Sequence, residues 1–245
     1  YLDGTLNEKQ RSKTIFRVKG SIFIPLIFLI FVRKKQLEIF LSNLKEMEDP
    51  DMFEEQYTTP GDIAAEIALF AYHRGDIEGK TVIDLGSGTG RLGIASLLLG
   101  SKKTYFVEKD KRAVEILKDN LKTLTLKTNQ ILGEYEITEG DALLVLLRGD
   151  TIIQNPPFGT KKRKMDTKFL KKAFEIGNVV YSLHKKGNYD FIRNFALENG
   201  FELVEMEDLN FPIKAMFEVH KKRKVIIEVE LYRFMRCYNG SERRD

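Results

Sequence analysis

The apolar positions of this chain switch between helical and strand spacing from residue 36 onward. Apolar residues three or four apart predict two amphipathic helices, one marked by Leu37, Phe40, Leu41, Leu44 and Met47, the other, after Pro60-Gly61, by Ile63, Ile67, Leu69 and Phe70. Further helices are predicted near 91–99, 111–124, 167–177 and 188–199, and strands at about 81–85, 104–108, 135–139, 151–154, 179–184, 201–206 and 225–234. This alternation predicts an α/β fold around a seven-stranded, mostly parallel sheet.

The last two predicted strands have no helix between them, only a loop around Pro212 and a basic run. We therefore expect a C-terminal antiparallel hairpin at the edge of the sheet, because only antiparallel strands can be joined without a long crossover. Seven strands with a terminal hairpin are typical of the Rossmann-like class I methyltransferase architecture.

An apolar run at residues 21–32 is flanked on both sides by Lys and Arg. It is shorter than the roughly 20 residues that a membrane-spanning helix needs, contains Pro25 and lacks a small-residue cleavage pattern. We therefore expect neither a membrane span nor secretion. The chain starts at Tyr1 rather than Met, and we expect the functional protein to begin near Val32 or Arg33. A strand or helix packed on the body of the protein is the alternative.

The charge of the chain is nearly balanced, with 40 Lys and Arg against 36 Asp and Glu. Two runs of four cations, at 161–164 and 221–224, concentrate positive charge, and they are expected to face either a polyanion or solvent. Cys237 is the only cysteine, which excludes an intrachain disulfide, a Cys-rich zinc site and an iron–sulfur cluster. The composition predicts a cytoplasmic protein that holds no metal.

A glycine-rich turn, Asp84-Leu85-Gly86-Ser87-Gly88-Thr89-Gly90, ends the predicted strand at 81–85. Its spacing fits S-adenosylmethionine better than a dinucleotide, for which the third glycine would come two residues after Gly90. Asp84 would accept a hydrogen bond from the methionine ammonium group, and Gly86, Gly88 and Gly90 would leave room for the amino-acid portion. A purely structural turn is the alternative.

Two more acids follow later strands. Glu108 ends the strand at 104–108, where its carboxylate can accept from both ribose hydroxyls, and Asp141 follows the third strand, where it can accept from the adenine amino group. For Asp141, a plain surface position is the alternative. Acids at the ends of successive parallel strands are expected where ligands bind, outside the carboxyl edge of the sheet.

The tetrapeptide Asn155-Pro156-Pro157-Phe158 follows the apolar run 151–153. An amino group of adenine, or a carboxamide, has its lone pair delocalised, so methylation requires positioning more than deprotonation. The Asn155 oxygen and the next backbone carbonyl can accept its two N–H bonds, the prolines hold these acceptors rigid, and Phe158 offers a face to the ring. The pattern indicates methyl transfer to a planar nitrogen; a strand ending in a tight Pro-Pro turn is the alternative.

From about residue 36 to 234 the chain resembles the methyltransferase-like protein five family of small-subunit ribosomal RNA adenine N6-methyltransferases, in its archaeal form. The resemblance rests on Glu55-Gln56-Tyr57-Thr58-Thr59, the turn at 84–90, Asn155-Pro156-Pro157-Phe158-Gly159-Thr160, Tyr181-Ser182-Leu183-His184-Lys185, and His220-Lys221-Lys222 followed by Ile227-Glu228-Val229-Glu230-Leu231. Ser87 and Thr89 depart from members that carry Cys in the glycine turn.

The resemblance implies S-adenosylmethionine as cofactor, S-adenosylhomocysteine as product, no metal, and RNA as partner. The implied cofactor site consists of Gln56, Tyr57, Thr59, Asp84, Gly86, Gly88, Gly90, Glu108, Asp141 and Asn155. The implied catalytic residues are Asn155, Pro156, Pro157 and Phe158. The implied RNA-binding residues are Lys161, Lys162, Arg163, Lys164, Lys221 and Lys222. Some members work with a small zinc-binding activator subunit that pairs along a sheet edge, for which the strand at 104–107 is the candidate surface. His184 and His220 are interpreted as structural or RNA-contacting residues rather than bases, and Tyr181 as a packing residue.

The implied organisation has four parts. Residues 1–35 form an N-terminal extension, 36–75 a helical region that closes over the cofactor, 76–236 the methyltransferase core, and 237–245 a tail.

Two other functions stay open. A release-factor-type protein glutamine N5-methyltransferase typically carries Tyr where Phe158 stands. Intact Asn155 and Asp84 argue against an inactive relative but are compatible with a cofactor-binding ribosome-assembly factor whose catalysis is secondary. A DNA adenine methyltransferase usually has a further target-recognition domain.

Overall fold

The structure is a computed structural model that describes residues 34–50, 57–128, 132–157, 165–214 and 224–237. The apolar run at 21–32 and the predicted start near Val32 or Arg33 lie outside these residues. In chain order the elements are α1 Lys34–Ser42, α2 Gly61–His73, β1 Thr81–Leu85, α3 Arg91–Leu98, β2 Lys103–Glu108, α4 Lys111–Lys127, β3 Glu134–Glu139, β4 Thr151–Gln154, α5 Met165–Ile176, β5 Val179–Lys185, α6 Tyr189–Glu198, β6 Phe201–Lys214 and β7 Lys224–Arg236.

The seven strands form one sheet in the order β3-β2-β1-β4-β5-β7-β6. The first five strands run parallel to one another, and β7 runs antiparallel to both of its neighbours, β5 and β6. This arrangement confirms the predicted α/β fold with a C-terminal antiparallel hairpin. The chain adds strands outward from β1 to β3 and then returns to place β4 on the other side of β1. Ligands bind at such a reversal of strand order, beyond the carboxyl ends of the strands.

The core lies in two apolar layers, one on each face of the sheet. The layer beneath α1 to α4 includes Leu41, Ile67 and Leu117, and the layer beneath α5 and α6 includes Leu170 and Ile192. Every residue of α3 is buried, because this helix is covered by α1 and α2 as well as by the sheet. Coverage of both faces explains why β1 and β4 are buried at nearly every position rather than at alternating ones.

The first helix is shorter than its apolar spacing predicts. It ends at Ser42, so Leu44 and Met47 belong to the following segment, where Leu44 is still buried. The second helix begins at Gly61, as expected from Pro60-Gly61. A Cβ atom at Gly61 would lie 2.4 Å from the backbone nitrogen and the hydroxyl of Ser42, so glycine allows α2 to start against the end of α1.

Two expectations about the sheet edges are wrong. Pro212 lies inside β6, paired with Ile226, rather than in the hairpin loop. An edge strand tolerates proline, because its missing N–H need not face a neighbouring strand. The strand at 104–107, the expected surface for an activator subunit, is interior, since β2 is paired with β1 and β3. The edge on that side of the sheet is β3.

Candidate active site

The glycine turn lies between the end of β1 and the start of α3. Gly86, Gly88 and Gly90 have φ values of +75°, +53° and +90°, which L side chains rarely adopt. The backbone N–H groups of Gly86 and Ser87 both donate to the carbonyl of Val107 at 2.9 Å, which fixes the turn against β2. The glycines therefore let the backbone approach the cleft above the turn, and Ser87 and Thr89 are the turn residues that add side chains to its lining.

Asp84 is fully buried beneath this turn. Its Oδ2 accepts a hydrogen bond from the N–H of Gly93 at 2.7 Å, so the carboxylate also holds the first turn of α3. Burial raises the pKa of Asp84 to about 7; the bond from Gly93 opposes this shift, and the charge of Glu108 adds to it. Asp84 lines a small pocket with Gly86 and Leu92, where a cation would offset the cost of its burial.

Glu108, at the end of β2, is held by three backbone donors. Its Oε2 accepts from the N–H of Gly88 at 2.8 Å, and its Oε1 accepts from the N–H groups of Lys109 and Asp110 at 2.8 Å each. These bonds fix the orientation of the carboxylate at the cleft, which it lines. Each oxygen has two lone pairs, so Oε2 retains capacity for a ligand hydroxyl.

Asp141, after β3, is exposed and lines the same cleft beside Ala142. Its Oδ1 accepts from the N–H of Leu143 at 2.9 Å, a local turn that leaves the other carboxylate oxygen for further contacts. The ribose and adenine contacts expected of Glu108 and Asp141 stay predictions, while their shared location in one cleft agrees with the strand-end pattern.

Asn155 comes directly after β4, facing the glycine turn across the reversal of strand order. Its Nδ2 donates to Oγ1 of Thr59 at 3.0 Å, and its Oδ1 is buried with no hydrogen-bond partner among the described residues. Pro156 is buried and Pro157 lines the cleft. The site thus contains an acceptor that is unused within the described residues and is followed by two prolines.

The cleft brings together most of the predicted site residues that the structure describes and adds others. Tyr57, Gly86, Gly88, Glu108, Asp141, Asn155 and Pro157 line it, together with the unpredicted Met47, Thr58, Thr89, Val107, Lys109, Ala113, Ala142, Met165 and Phe169. Gly90 lines neither pocket described here but lets the turn approach α4, since a Cβ atom there would lie 2.2 Å from Cδ1 of Leu117. Thr59 lines the adjoining small pocket.

Phe169 is the most informative of the unpredicted residues. Its ring lies so near the glycine turn that a Cβ atom at Gly86 would be 2.9 Å from its Cε1 atom. Met165 lies one helical turn earlier on α5, and residues four apart share a helix face. That spacing was visible in the sequence, but without the position of α5 it could not be distinguished from an ordinary core face.

The cleft fits S-adenosylmethionine chemically. Ser87 Oγ, Thr89 Oγ1 and Asn155 Oδ1 are buried polar atoms without a hydrogen-bond partner in the described part of the chain, and all three residues line the small pocket with Asp84. Buried polar groups are normally hydrogen-bonded, so this set suits the charged amino-acid portion of a ligand. The larger cleft adds apolar lining from Val107 and the two alanines for a nucleoside, beside the carboxylate of Glu108.

Several predicted residues lie outside the described part of the chain. These are Gln56, Phe158, Lys161, Lys162, Arg163, Lys164, Lys221 and Lys222, as well as His220. Their roles therefore stay predictions. Among the described residues, no cluster of three or more His, Cys, Asp or Glu side chains could hold a metal ion, and no helix is long and apolar enough to cross a membrane.

His184 and Tyr181 on β5 are built into the interior. The hydroxyl of Ser182 lies 2.9 Å from both Nε2 of His184 and Nε2 of Gln154, which is the residue before Asn155. Burial lowers the pKa of His184 to about 3. The Tyr181 hydroxyl donates to Asp76 at 2.5 Å, which agrees with a packing role.

The strand order, the glycine turn and the Asn-Pro-Pro turn define the fold of a class I methyltransferase. A sequence model described as "Conserved hypothetical protein 95" matches residues 52–197. The chain is 36% identical to the uncharacterized protein MJ0284 of Methanocaldococcus jannaschii, over 82% of this chain and 94% of that protein. It is 37% identical to the rRNA N(6)-adenosine-methyltransferase Mettl5 of Drosophila melanogaster, over 83% of this chain and 96% of that protein.

A crystal structure from Pyrococcus horikoshii, described provisionally as that of an RNA methyltransferase, is 42% identical and superposes with a TM-score of 0.76, covering 84% of this chain and 98% of that one. The chain belongs to the Conserved hypothetical protein 95 family and to the methyltransferase-like protein five group. The resemblance read from the motifs is thereby confirmed.

Proposed function

We propose that this protein transfers a methyl group from S-adenosylmethionine to the N6 atom of an adenosine in ribosomal RNA. The observation that carries the proposal is the buried Oδ1 of Asn155, which has no hydrogen-bond partner among the described residues and belongs to a residue that lines the cleft next to the glycine turn. The Mettl5 relatives, which are rRNA N(6)-adenosine-methyltransferases, support the substrate class. A glutamine methyltransferase is not favoured by these relatives.

The cofactor, when bound, supplies an electrophilic methyl group on a sulfonium. Asp84 binds the methionine ammonium, Glu108 the ribose hydroxyls and Asp141 the adenine amino group of the cofactor. Residues 36–75 form a region that covers this site, and 76–236 form the core that positions it. Tyr57 and Thr58 line the cleft from the covering region.

Asn155 orients the target amino group rather than removing its proton. Its Oδ1 and the Pro156 carbonyl accept the two N–H bonds, which favours a pyramidal nitrogen whose lone pair points at the methyl group. The nitrogen–carbon bond forms as the sulfur–carbon bond breaks, and the surplus proton then leaves to water. Pro157 and Phe158 hold the target ring, with Phe158 against its face.

The target base must leave its stack to reach this cleft, because a base inside a duplex cannot approach the sulfonium. The cations at 161–164 and Lys221 and Lys222 would hold the flanking phosphates, which makes binding strongly dependent on salt. We assign this activity to the cytoplasm.

A small zinc-binding activator subunit is the second proposed partner. Among the described strands β3 pairs on one side only, with β2, so its outer edge can accept an added strand. Tyr135 on β3 is 45% exposed, and Leu144 and Leu146, which follow it in the chain, are more exposed still. A subunit that pairs there would raise methylation activity when added to the purified protein.

The proposal is tested by incubating the purified protein with labelled S-adenosylmethionine and, separately, small-subunit RNA, a DNA duplex or a release factor. We expect N6-methyladenosine from RNA alone. Asn155→Ala should abolish it, while Asn199→Ala, whose side chain caps its own helix turn at Phe195, should retain full activity. Label in glutamine or DNA would refute the RNA assignment, and label nowhere, with the activator subunit present, would refute the enzymatic one.

A further inference from the structure

The two ends of the Asn155 amide have different surroundings. Its Nδ2 donates to the hydroxyl oxygen of Thr59, 3.0 Å away, whereas its Oδ1 is buried without a partner. Thr59 is itself almost fully buried, with 8% of its surface exposed. The contact joins two residues 96 positions apart in the chain, one before α2 and one after β4.

The orientation of this amide decides whether the site has an acceptor for an amino group. The oxygen and nitrogen of an Asn side chain have nearly the same shape, so a half-turn of the amide would exchange acceptor for donor. An NH₂ group facing the cleft could not accept from the target amine. When the oxygen faces the amine, the NH₂ group needs an acceptor on its other side, and the Thr59 hydroxyl provides one.

Thr59 is in turn fixed to the glycine turn by Arg91, the first residue of α3. The Nη1 atom of Arg91 donates to the Thr59 carbonyl at 3.0 Å, and its Nη2 atom donates to the Leu44 carbonyl and to Glu46. Arg91 is only 3% exposed. The position of the Thr59 hydroxyl is therefore set by the same helix start that supports the cofactor turn.

We infer that Thr59 is a positioning residue that holds the Asn155 amide with its oxygen towards the target amine. The inference rests on the proposed function and deepens it. The resemblance assigns Thr59 to the cofactor, whereas the contact with Asn155 assigns it to the methyl-transfer step. A residue that only binds cofactor would change cofactor affinity; a residue that orients the amide changes the rate of transfer at saturating cofactor.

The test replaces Thr59 by Val, which keeps the shape and removes the acceptor, and by Ser, which keeps the hydroxyl. In Thr59→Val the Asn155 NH₂ group is a buried donor without a partner, so we expect the single-turnover rate to fall about 10- to 100-fold. The dissociation constant for S-adenosylmethionine should stay within about twofold, and Thr59→Ser should recover most of the rate. Thr125→Val is the matched control, because Thr125 is exposed on α4 and donates to Leu121.

A normal rate in Thr59→Val, a rate loss that parallels weaker cofactor binding, or no recovery in Thr59→Ser would each overturn the inference. A second readout does not depend on the substrate. The ¹⁵N-labelled side-chain amide of Asn155, assigned through its loss in Asn155→Ala, should exchange its protons slowly in the wild type and in Thr59→Ser, and faster in Thr59→Val. Equal exchange in all three would show that Thr59 does not hold the amide, even if wild-type protein methylates no RNA and the proposed function itself has failed.

Discussion

Cofactor binding should depend on pH through Asp84. Burial holds the pKa of this carboxyl at about 7 in the ligand-free protein, yet an ammonium group is bound best by the ionised form. With a pKa of about 7, roughly nine-tenths of Asp84 is ionised at pH 8 and one-tenth at pH 6, so the dissociation constant should rise about tenfold between them, or about 1.4 kcal/mol.

Isothermal titration with S-adenosylhomocysteine, in buffers of different ionisation enthalpy, measures this effect. At pH 7 about half a proton should leave per ligand bound, because binding completes the ionisation of a half-protonated group. Asp84→Asn should bind S-adenosylhomocysteine weakly at every pH, and its dissociation constant should not change between pH 6 and pH 8. This variant therefore distinguishes the titration of Asp84 from that of the ligand itself. Equal wild-type affinity at pH 6 and pH 8, without proton release, would refute the reasoning.

The same shift has the opposite sign for the stability of the ligand-free protein. The folded-state pKa of Asp84 is raised, so the stabilisation is complete below the unfolded value of 3.8 and is lost as the pH rises through about 7. The unfolding free energy of the ligand-free wild type, measured relative to Asp84→Asn at each pH, should therefore fall by about 1.4 kcal/mol per unit as the pH rises from 5 to 7 and then level off. Saturating ligand should remove the difference in slope, because it restores the ionised carboxylate as the favoured form.

Three further outcomes are expected. Gly90→Ala should lower the free energy of unfolding by about 2 kcal/mol or more, because its Cβ atom would meet the Leu117 side chain. Gly88→Ala should lower it by about 1 kcal/mol, because no atom lies within 4 Å of the added Cβ atom. Equal melting temperatures for the two variants would contradict this difference. Tyr181→Phe should lower the free energy of unfolding, measured in urea, by about 1–3 kcal/mol, because Asp76 and Arg233 would each lose one hydrogen-bond partner. Methylation at low temperature should be retained. Lost activity in a stable variant would contradict a packing role for Tyr181. His184 has a lowered pKa, so the stabilisation from its neutral form is complete above pH 6.5 and is lost towards pH 3 at about 1.4 kcal/mol per unit. The unfolding free energy of the wild type relative to His184→Asn should fall at that rate below pH 6.5, and a difference that is equal at pH 7 and pH 5 would contradict it.

The sequence predicts the elements best where apolar runs are bounded by breakers. The strand at 81–85 and the strand at 151–154 are found at their predicted bounds, because both are short, fully buried and followed by Gly or Pro turns. The hairpin strands are each longer than predicted, since β6 is an edge strand whose polar residues face solvent and give no apolar signal. Pro212 also shortened the predicted strand, because a proline indicates a loop unless the strand is known to lie at the edge of a sheet.

The cofactor side of the site was predictable for a topological reason. Asp84, Glu108 and Asp141 all follow parallel strands, and parallel strands bring their carboxyl ends to one edge of the sheet. No comparable rule connects Thr59 with Asn155, or places Phe169 over Gly86. Those contacts depend on how α2 and α5 pack, which is decided by tertiary burial rather than by local spacing.

His184 and Tyr181 on β5 are unsuited to taking a proton from the target amine. His184 lies behind the turn with Nε2 engaged by Ser182, and its lowered pKa makes it a weak base. Burial and the nearby Asp76 carboxylate raise the pKa of Tyr181, whose hydroxyl donates inside the core. An amine attacking a sulfonium needs no base before transfer, because the nitrogen loses its proton readily once it is cationic. The chemistry does need a hydrogen-bond acceptor whose direction is fixed. The buried oxygen of Asn155 meets that need, because the amide nitrogen of the same side chain donates to Thr59.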